Sequence, residues 1–296
     1  MLKRTLFFSN PYNLSLKDRQ LVVKSPENDP VTNVPIEDLG FIVFDHPHLK
    51  FSMKLIEQLN AFNVAVVFCD SKHMPSSMLL PLDANHIQTE LFRYQINASE
   101  PLKKNLWKQT VEAKILNQAA LLKHNGFDPT GLKNIAKTVK SGDSDNREGF
   151  AARVYWNTLF GKTFIRDRFG DPPNHFLNYG YILLRSAVAR ALAGSGLLTT
   201  LGIFHRNRYN SFCLADDIME PYRPFVDQLV VEMYKKWPDA FTIETEHKAE
   251  LLKLMAMDVY IGDNKRPLMV ALSQTTASLA RCFAGESRKI SYPEFS

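Results

Sequence analysis

The chain has 296 residues, of which 45% are hydrophobic, 23% charged and 11% aromatic, and it carries a formal net charge of +5. That is long enough for two domains, each with its own core. Cys69, Cys213 and Cys282 stand alone with no paired spacing, which argues against a disulfide framework or a zinc site and for reduced thiols.

From Leu2 to about Leu82, short apolar or β-branched runs alternate with turn signals. Thr5-Leu6-Phe7-Phe8, Leu21-Val22-Val23, Phe41-Ile42-Val43-Phe44 and Val64-Ala65-Val66-Val67-Phe68 read as strands. Between the last two, apolar residues at Leu55, Ile56, Leu59 and Phe62 predict one amphipathic helix. Residues 1–82 are therefore assigned to a small β-rich domain. The polar stretch 83–100, with no sustained apolar period, is assigned to a linker.

Beyond the linker the pattern is helical. Candidate helices are Leu102 to Lys123, Thr130 to Val139, Gly149 to Phe160, Phe176 to Leu192, Phe225 to Trp237, Lys248 to Met257 and Leu268 to Phe283. Residues 101–296 are accordingly expected to form a larger all-α catalytic domain, making the fold class α+β multidomain. Gly194-Ser195-Gly196 follows a helical pattern instead of a strand, so it reads as a helix stop and not as a phosphate cradle. The amino terminus is too short in apolar residues for a signal peptide, and Arg185 and Arg190 break the apolar segment from Tyr181 to Leu192. The expectation is a soluble, cytoplasmic protein. The tail Ile290-Ser291-Tyr292-Pro293-Glu294-Phe295-Ser296 reads as a frayed end or a partner-docking segment.

Charge is uneven. From Lys103 to Arg223 the chain holds nine Lys and nine Arg against ten acids, a balance of +8 that leaves −3 for the remainder. Within this basic stretch stand Glu148, His205 and the cluster Asp216-Asp217-Ile218-Met219-Glu220. Carboxylates suit Mg²⁺ and Mn²⁺, and an imidazole among them leans toward Mn²⁺ without excluding Mg²⁺. On a helix either Asp217 and Glu220 or Asp216 and Glu220 could face one point. The competing reading makes the acids complements of a helix start before Pro221, and His205 a hydrogen-bonded histidine beneath an apolar run. A basic surround favours a polyanionic substrate, since counterion release drives phosphate-backbone binding. Arg206 and Arg208, beside His205, are candidate nucleic-acid contacts, and Lys133, Lys137 and Lys140 fall at helical spacing.

Four stretches together carry a family resemblance: Glu148 to Phe160, Asn178 to Arg185, Leu201 to Asn210, and Leu214 to Asp227. In this order and spacing the chain resembles the CRISPR-associated integrase that inserts new spacers, closest to the subgroup found with type II loci. The resemblance implies that Glu148, His205 and Glu220 hold a catalytic Mg²⁺ or Mn²⁺. Relatives carry Asp at the last position, so Asp217 competes with Glu220 for the direct role, and the expectation is Glu220 on the metal with Asp217 supporting it. Where many relatives place a second His, this chain has Phe204.

The implied reaction is attack by the 3′-hydroxyl of a DNA fragment on a phosphodiester at the edge of a CRISPR repeat. Such an exchange needs no nucleotide energy source. The implied partners are double-stranded DNA, a second copy of the chain forming a homodimer, and a small ferredoxin-like protein completing a heterohexamer. The strand-rich amino-terminal domain is the expected dimerisation surface, because exposed strand edges pair across a symmetry axis. Two rival readings use the same residues: a metal-dependent nuclease in which water replaces the 3′-hydroxyl, and a non-catalytic DNA-binding scaffold.

Overall fold

A computed structural model describes residues 3–26, 31–82 and 85–295. Its amino-terminal part contains β1 (Arg4–Phe8), β2 (Asn13–Lys17), β3 (Gln20–Lys24), β4 (Thr32–Pro35), β5 (Leu39–Phe44), β6 (Lys50–Phe51), α1 (Met53–Ala61), β7 (Ala65–Cys69) and β8 (Pro75–Leu79). They form two four-stranded sheets, ordered β1-β5-β7-β8 and β4-β3-β2-β6. In the first, β1, β5 and β7 are parallel and β8 is antiparallel. The four predicted runs are β1, β3, β5 and β7. The hairpin β2–β3 lacked an Asn-Gly signal, yet Asp18 and Arg19 at its turn both adopt positive φ (50° and 58°), as a tight two-residue hairpin requires.

The run Phe41-Ile42-Val43-Phe44 is apolar without alternation because both faces of β5 are covered. Ile42 and Phe44 pack with Leu55 and Leu59 of α1, while Phe41 and Val43 point the other way into the helical core. Strand β7 repeats the pattern, with Val66 on the α1 side and Ala65 and Val67 on the helical side. The amino-terminal part thus has an apolar cluster of its own on the α1 side of the sheet, while the other sheet face joins the helical core. A buried ion pair between Lys248 and Asp45 (2.6 Å) ties the same two parts together.

The carboxy-terminal part contains α2 (Gln88–Ile96), α3 (Glu100–His124), α4 (Thr130–Ala136), α5 (Arg147–Leu159), α6 (Asn174–Gly194), α7 (Cys213–Met219), α8 (Arg223–Lys236), α9 (Thr245–Leu252), β9 (Asp258–Ile261), β10 (Asn264–Pro267) and α10 (Leu268–Phe283). Helix α6 is buried through most of its length, with Phe176, Leu177, Leu183, Leu184, Ala187, Val188 and Leu192 inside, and packs against α7, α8, α9 and α10. A helix apolar on nearly every side belongs at a domain centre. Gly180 lets α8 approach it closely, since a Cβ there would meet Val226 Cγ1 at 2.5 Å.

Two expectations need correction. The stretch assigned to a linker, 83–100, contains helix α2 and the start of α3; residues 83 and 84 lie outside the described residues. Gln95 anchors α2 by donating through Nε2 to Leu198 O (2.9 Å) and Leu201 O (3.0 Å) while Oε1 accepts from Leu198 N (2.8 Å). The carboxy-terminal part is helical as expected, with one short antiparallel hairpin, β9–β10, added to its helices. The tail through Phe295 is neither frayed nor free: Asn117 Nδ2 donates to Pro293 O (2.9 Å), Phe295 N donates to Asn117 Oδ1 (3.0 Å), and Glu294 bridges to Tyr260.

Candidate functional site

Four helices and one loop converge on the predicted acids. Glu148 lies in the first turn of α5, where a carboxylate complements the helix dipole. That helix is capped twice. Asn146 Oδ1 accepts from Gly149 N (3.1 Å), and the Asp143 carboxylate accepts from Arg147 N (2.8 Å) and Glu148 N (3.0 Å). Glu220 sits in the turn joining α7 to α8, where Pro221 and Pro224 each stand in a first helical turn and remove no needed N–H.

Lys114, from the middle of α3, reaches between these acids. Its Nζ donates to Glu148 Oε1 (2.6 Å) and lies 2.5 Å from Glu220 Oε2. Arg223 Nε donates to Glu220 Oε1 (2.8 Å), and its guanidinium rests 4.4 Å from the Tyr181 ring centroid. Burial pushes the Glu220 carboxyl upward, but the adjacent Arg223 and Lys114 overcome it and hold the group at about 2. Among the described residues, the only cation or donor at this buried oxygen is the Lys114 ammonium, so its withdrawal would leave Oε2 open to another cation. A buried acceptor left in that state suits a cation.

His205 belongs to a loop folded around Asp217. The fully buried Asp217 carboxylate accepts through Oδ2 from Ile203 N (2.7 Å) and Phe204 N (3.0 Å), and through Oδ1 from His205 N (3.2 Å). The Nδ1–H of His205 donates to Oδ1 at 2.6 Å. This bond raises the imidazole pKa from its ordinary value, against partial burial, with Glu220 and Glu148 adding in the same direction. Burial raises the Asp217 carboxyl, and its hydrogen bonds oppose that rise. Gly202 makes the wrap possible, because a Cβ there would lie 2.4 Å from His205 O and 2.7 Å from Asp217 Oδ2. Phe204 stacks on Trp107 (4.2 Å between centroids) and Trp107 meets His205 edge-on.

The structure therefore links Glu148 to Glu220 through Lys114, and His205 to Asp217. Among the described residues, no three His, Cys, Asp or Glu side chains stand close enough as arranged to hold a metal ion. The donor chemistry nevertheless fits a divalent cation. Two carboxylates already meet on the Lys114 ammonium, and with Nδ1 of His205 bonded to Asp217 the neutral ring keeps its lone pair on Nε2, the arrangement typical of metal-ligating histidines. Asp216, the third acid of the cluster, turns away to accept from Arg185 Nε (2.6 Å) and Asn210 Nδ2 (2.6 Å).

Glu220 and Lys114 border a cleft of about 820 Å³ whose other walls carry Lys72, Arg166, Arg168, Arg185, Arg223 and the exposed ring of Phe169. None of these six was a candidate site residue in the sequence, although Arg185 and Arg223 stand within the stretches that carry the resemblance. Arg166, Arg168 and Phe169 were legible as a basic-aromatic run in a loop, whereas Lys72 comes from the β-rich part and only the fold brings it here. At the cleft's inner end Asp227 accepts from Tyr155 Oη (2.7 Å) and Tyr181 Oη (2.5 Å), and burial raises its carboxyl to about 6. His205, Arg206 and Arg208 border a second hollow of about 520 Å³. Arg206 pairs with Glu100 (2.6 Å) and the Arg208 guanidinium lies over the Tyr209 ring. Lys133, Lys137 and Lys140 are exposed, with Lys140 paired to Asp145.

Residues 6–261 match the family model of CRISPR associated protein Cas1. The chain belongs to that family. The CRISPR-associated endonuclease Cas1 of Neisseria meningitidis is 35% identical over 280 residues, covering 94% of this chain and 91% of that one. Two solved structures share the Cas1 fold seen here. A casposase bound to its integration product superposes with a TM-score of 0.79 at 21% identity, covering 100% of this chain and 95% of that one. A chain of a Cas6-RT-Cas1–Cas2 complex superposes at 0.70 and 19% identity, covering 100% of this chain and 36% of that one. Among the described residues no helix is long and apolar enough to cross a membrane.

Proposed function

We propose that this Cas1 family member is a divalent-metal-dependent DNA integrase, joining a DNA fragment to a CRISPR array by 3′-hydroxyl attack on a phosphodiester at a repeat boundary. One observation carries the reading: two buried or half-buried carboxylates from separate elements converge on the Lys114 ammonium, with Arg223 also on Glu220, at the edge of an arginine-lined cleft. Acids beside a path for a polyanion need a cation between them and the phosphates, the place that Lys114 fills here and a divalent ion could take over.

Glu148, His205 and Glu220 would hold the Mg²⁺ or Mn²⁺, with Asp217 fixing the imidazole from behind. The bound ion would supply charge neutralisation on the phosphoryl oxygens and lower the pKa of a coordinated hydroxyl. The chain's own groups do the rest. Asp217 holds the 201–205 loop and the proton on His205 Nδ1. Arg166, Arg168, Arg185 and Arg223 line a path for the phosphate backbone, and Phe169 offers a face on which an unpaired base can stack. Asp216 orients Arg185 toward that path.

The partners proposed are duplex DNA, a second copy of the chain in a homodimer, and the small ferredoxin-like adaptation protein of a heterohexamer. Support for the last comes from family membership and from the Cas1–Cas2 complex among the structural neighbours. The test is an integration assay on a supercoiled plasmid carrying the cognate repeat, with and without the small partner, in Mn²⁺. Joined products that depend on Glu148 support the reading. Cleavage without joining in all conditions leaves a nuclease, and no DNA chemistry leaves a scaffold.

A further inference from the structure

The point between Glu148 and Glu220 is already occupied by the chain itself. Lys114 Nζ lies 2.6 Å from one carboxylate and 2.5 Å from the other. A Mg²⁺ ion binds oxygen at about 2.0–2.1 Å, so an ion bridging these two acids needs the space the ammonium fills. Two cations cannot share it. Arg223 is the worse candidate to yield, because it is clamped between Glu220 and the Tyr181 ring. Lys114 has a flexible four-carbon stem and can withdraw without backbone movement.

A landing place exists. Gln118, one turn further along α3, faces the same cleft, and its buried Oε1 has no hydrogen-bond donor. Side chains four apart on a helix are neighbours, so an ammonium leaving the acids can reach this oxygen. A buried acceptor without a donor is unfavourable, and an ammonium arriving there would satisfy it.

We infer that Lys114 is the resident counter-ion of the site: a divalent metal enters by displacing its ammonium from Glu148 and Glu220 toward Gln118 Oε1 and the cleft, where a DNA phosphate becomes its new partner. Metal and DNA then bind cooperatively, each favouring the withdrawn lysine, and by linkage the factor is the same in both directions. No bond is made or broken; one cation replaces another. The inference rests on the metal reading above.

The experiment measures Mn²⁺ binding directly, from the electron paramagnetic resonance signal of the free ion, on the full chain with and without a short duplex bearing a 3′ single strand. In Lys114→Met the competing charge is gone, so DNA-free affinity rises by about tenfold or more, a factor equivalent to 1.4 kcal/mol. DNA tightens Mn²⁺ binding in the wild type and does so less in this variant. Mn²⁺ binding to Lys114→Met that is equal to or weaker than wild type overturns the inference. Should that variant not fold, Lys114→Arg decides: a two-pronged guanidinium grips both carboxylates and binding weakens, whereas unchanged or tighter binding overturns it. The metal reading fails separately, and takes the inference with it, if the wild type binds no Mn²⁺ or if Glu148→Gln binds it as well as the wild type.

Discussion

His205 Nδ1 and Asp217 Oδ1 stand 2.6 Å apart, and the same carboxylate receives three backbone N–H groups from Ile203, Phe204 and His205. One buried acid therefore sets the shape of the loop, the position of the ring and the nitrogen that carries its proton. Every oxygen of Asp217 is engaged by the loop it holds, which leaves Glu220, whose Oε2 meets only the Lys114 ammonium among the described residues, as the acid better disposed toward a cation.

Asp217→Asn tests that division of labour. The amide nitrogen faces backbone donors where an oxygen stood, so the loop loses acceptors and the chain is destabilised by about 1–3 kcal/mol. Loss of a group that orients a ligand typically weakens a metal site by about 10- to 100-fold, so integration should fall at low Mn²⁺ and recover as Mn²⁺ is raised. Activity that stays absent at every Mn²⁺ concentration, in a variant that folds, makes Asp217 a direct ligand.

Glu148→Ala, His205→Ala and Glu220→Ala should each abolish strand transfer while DNA binding persists. Glu220→Ala also strands Lys114 and Arg223 without their shared acid, and breaking such a buried pair costs about 3–5 kcal/mol. A lowered melting temperature is therefore expected for Glu220→Ala and a smaller change for the half-exposed His205. Wild-type integration by all three variants removes the proposed ligand set.

What the sequence revealed and concealed follows from interaction range. Strand β5 is a continuous apolar run and helix α1 an apolar pattern at period 3.6, both local, and the sequence carries them unaided. The acids of α5 and α7 were recognisable as chemistry. Their cation was not, since Lys114 lies 34 residues before Glu148 and 106 before Glu220 on a helix whose face looks like ordinary core. Helix α2 escaped notice for a related reason. Its anchor Gln95 is polar, and only the backbone of Leu198 and Leu201 makes burying it tolerable. The hairpin β9–β10 has just four residues per strand, too few for a period to show.

Arg166 and Arg168 line the large cleft, whereas Arg206 and Arg208 border the smaller hollow. If the cleft carries the DNA backbone, log affinity for duplex DNA falls linearly with log salt, and each lost phosphate contact lowers the slope by about 0.9. The double change Arg166→Ala with Arg168→Ala should reduce the slope more than Arg206→Ala with Arg208→Ala, because Arg206 is already paired with Glu100. Equal slopes for wild type and the first double variant place the DNA elsewhere.

Asp227 supplies a pH signature independent of any metal. Its carboxyl is raised by burial from 3.8 to about 6, so the folded state binds its proton more tightly than the unfolded chain does. The associated stability is complete below pH 3.8 and is lost as pH rises to about 6, a change of about 3 kcal/mol at one unit per 1.36 kcal/mol. Glu220 works in the opposite sense. Held at about 2 against an ordinary 4.5, it loses its contribution only as pH falls below 4.5; His175, lowered by burial to about 4, and Asp217, raised by burial, also bear on the interval from 4.5 to 6, so the difference between wild type and an Asp227 variant is what isolates Asp227. Asp227→Asn keeps an oxygen for the Tyr155 and Tyr181 hydroxyls but cannot titrate. Urea unfolding across that interval should show wild-type stability declining relative to the variant as pH rises. Curves that run parallel from pH 4.5 to 6 mean that Asp227 remains ionised throughout, held by Arg166 and Arg223 more strongly than burial opposes it.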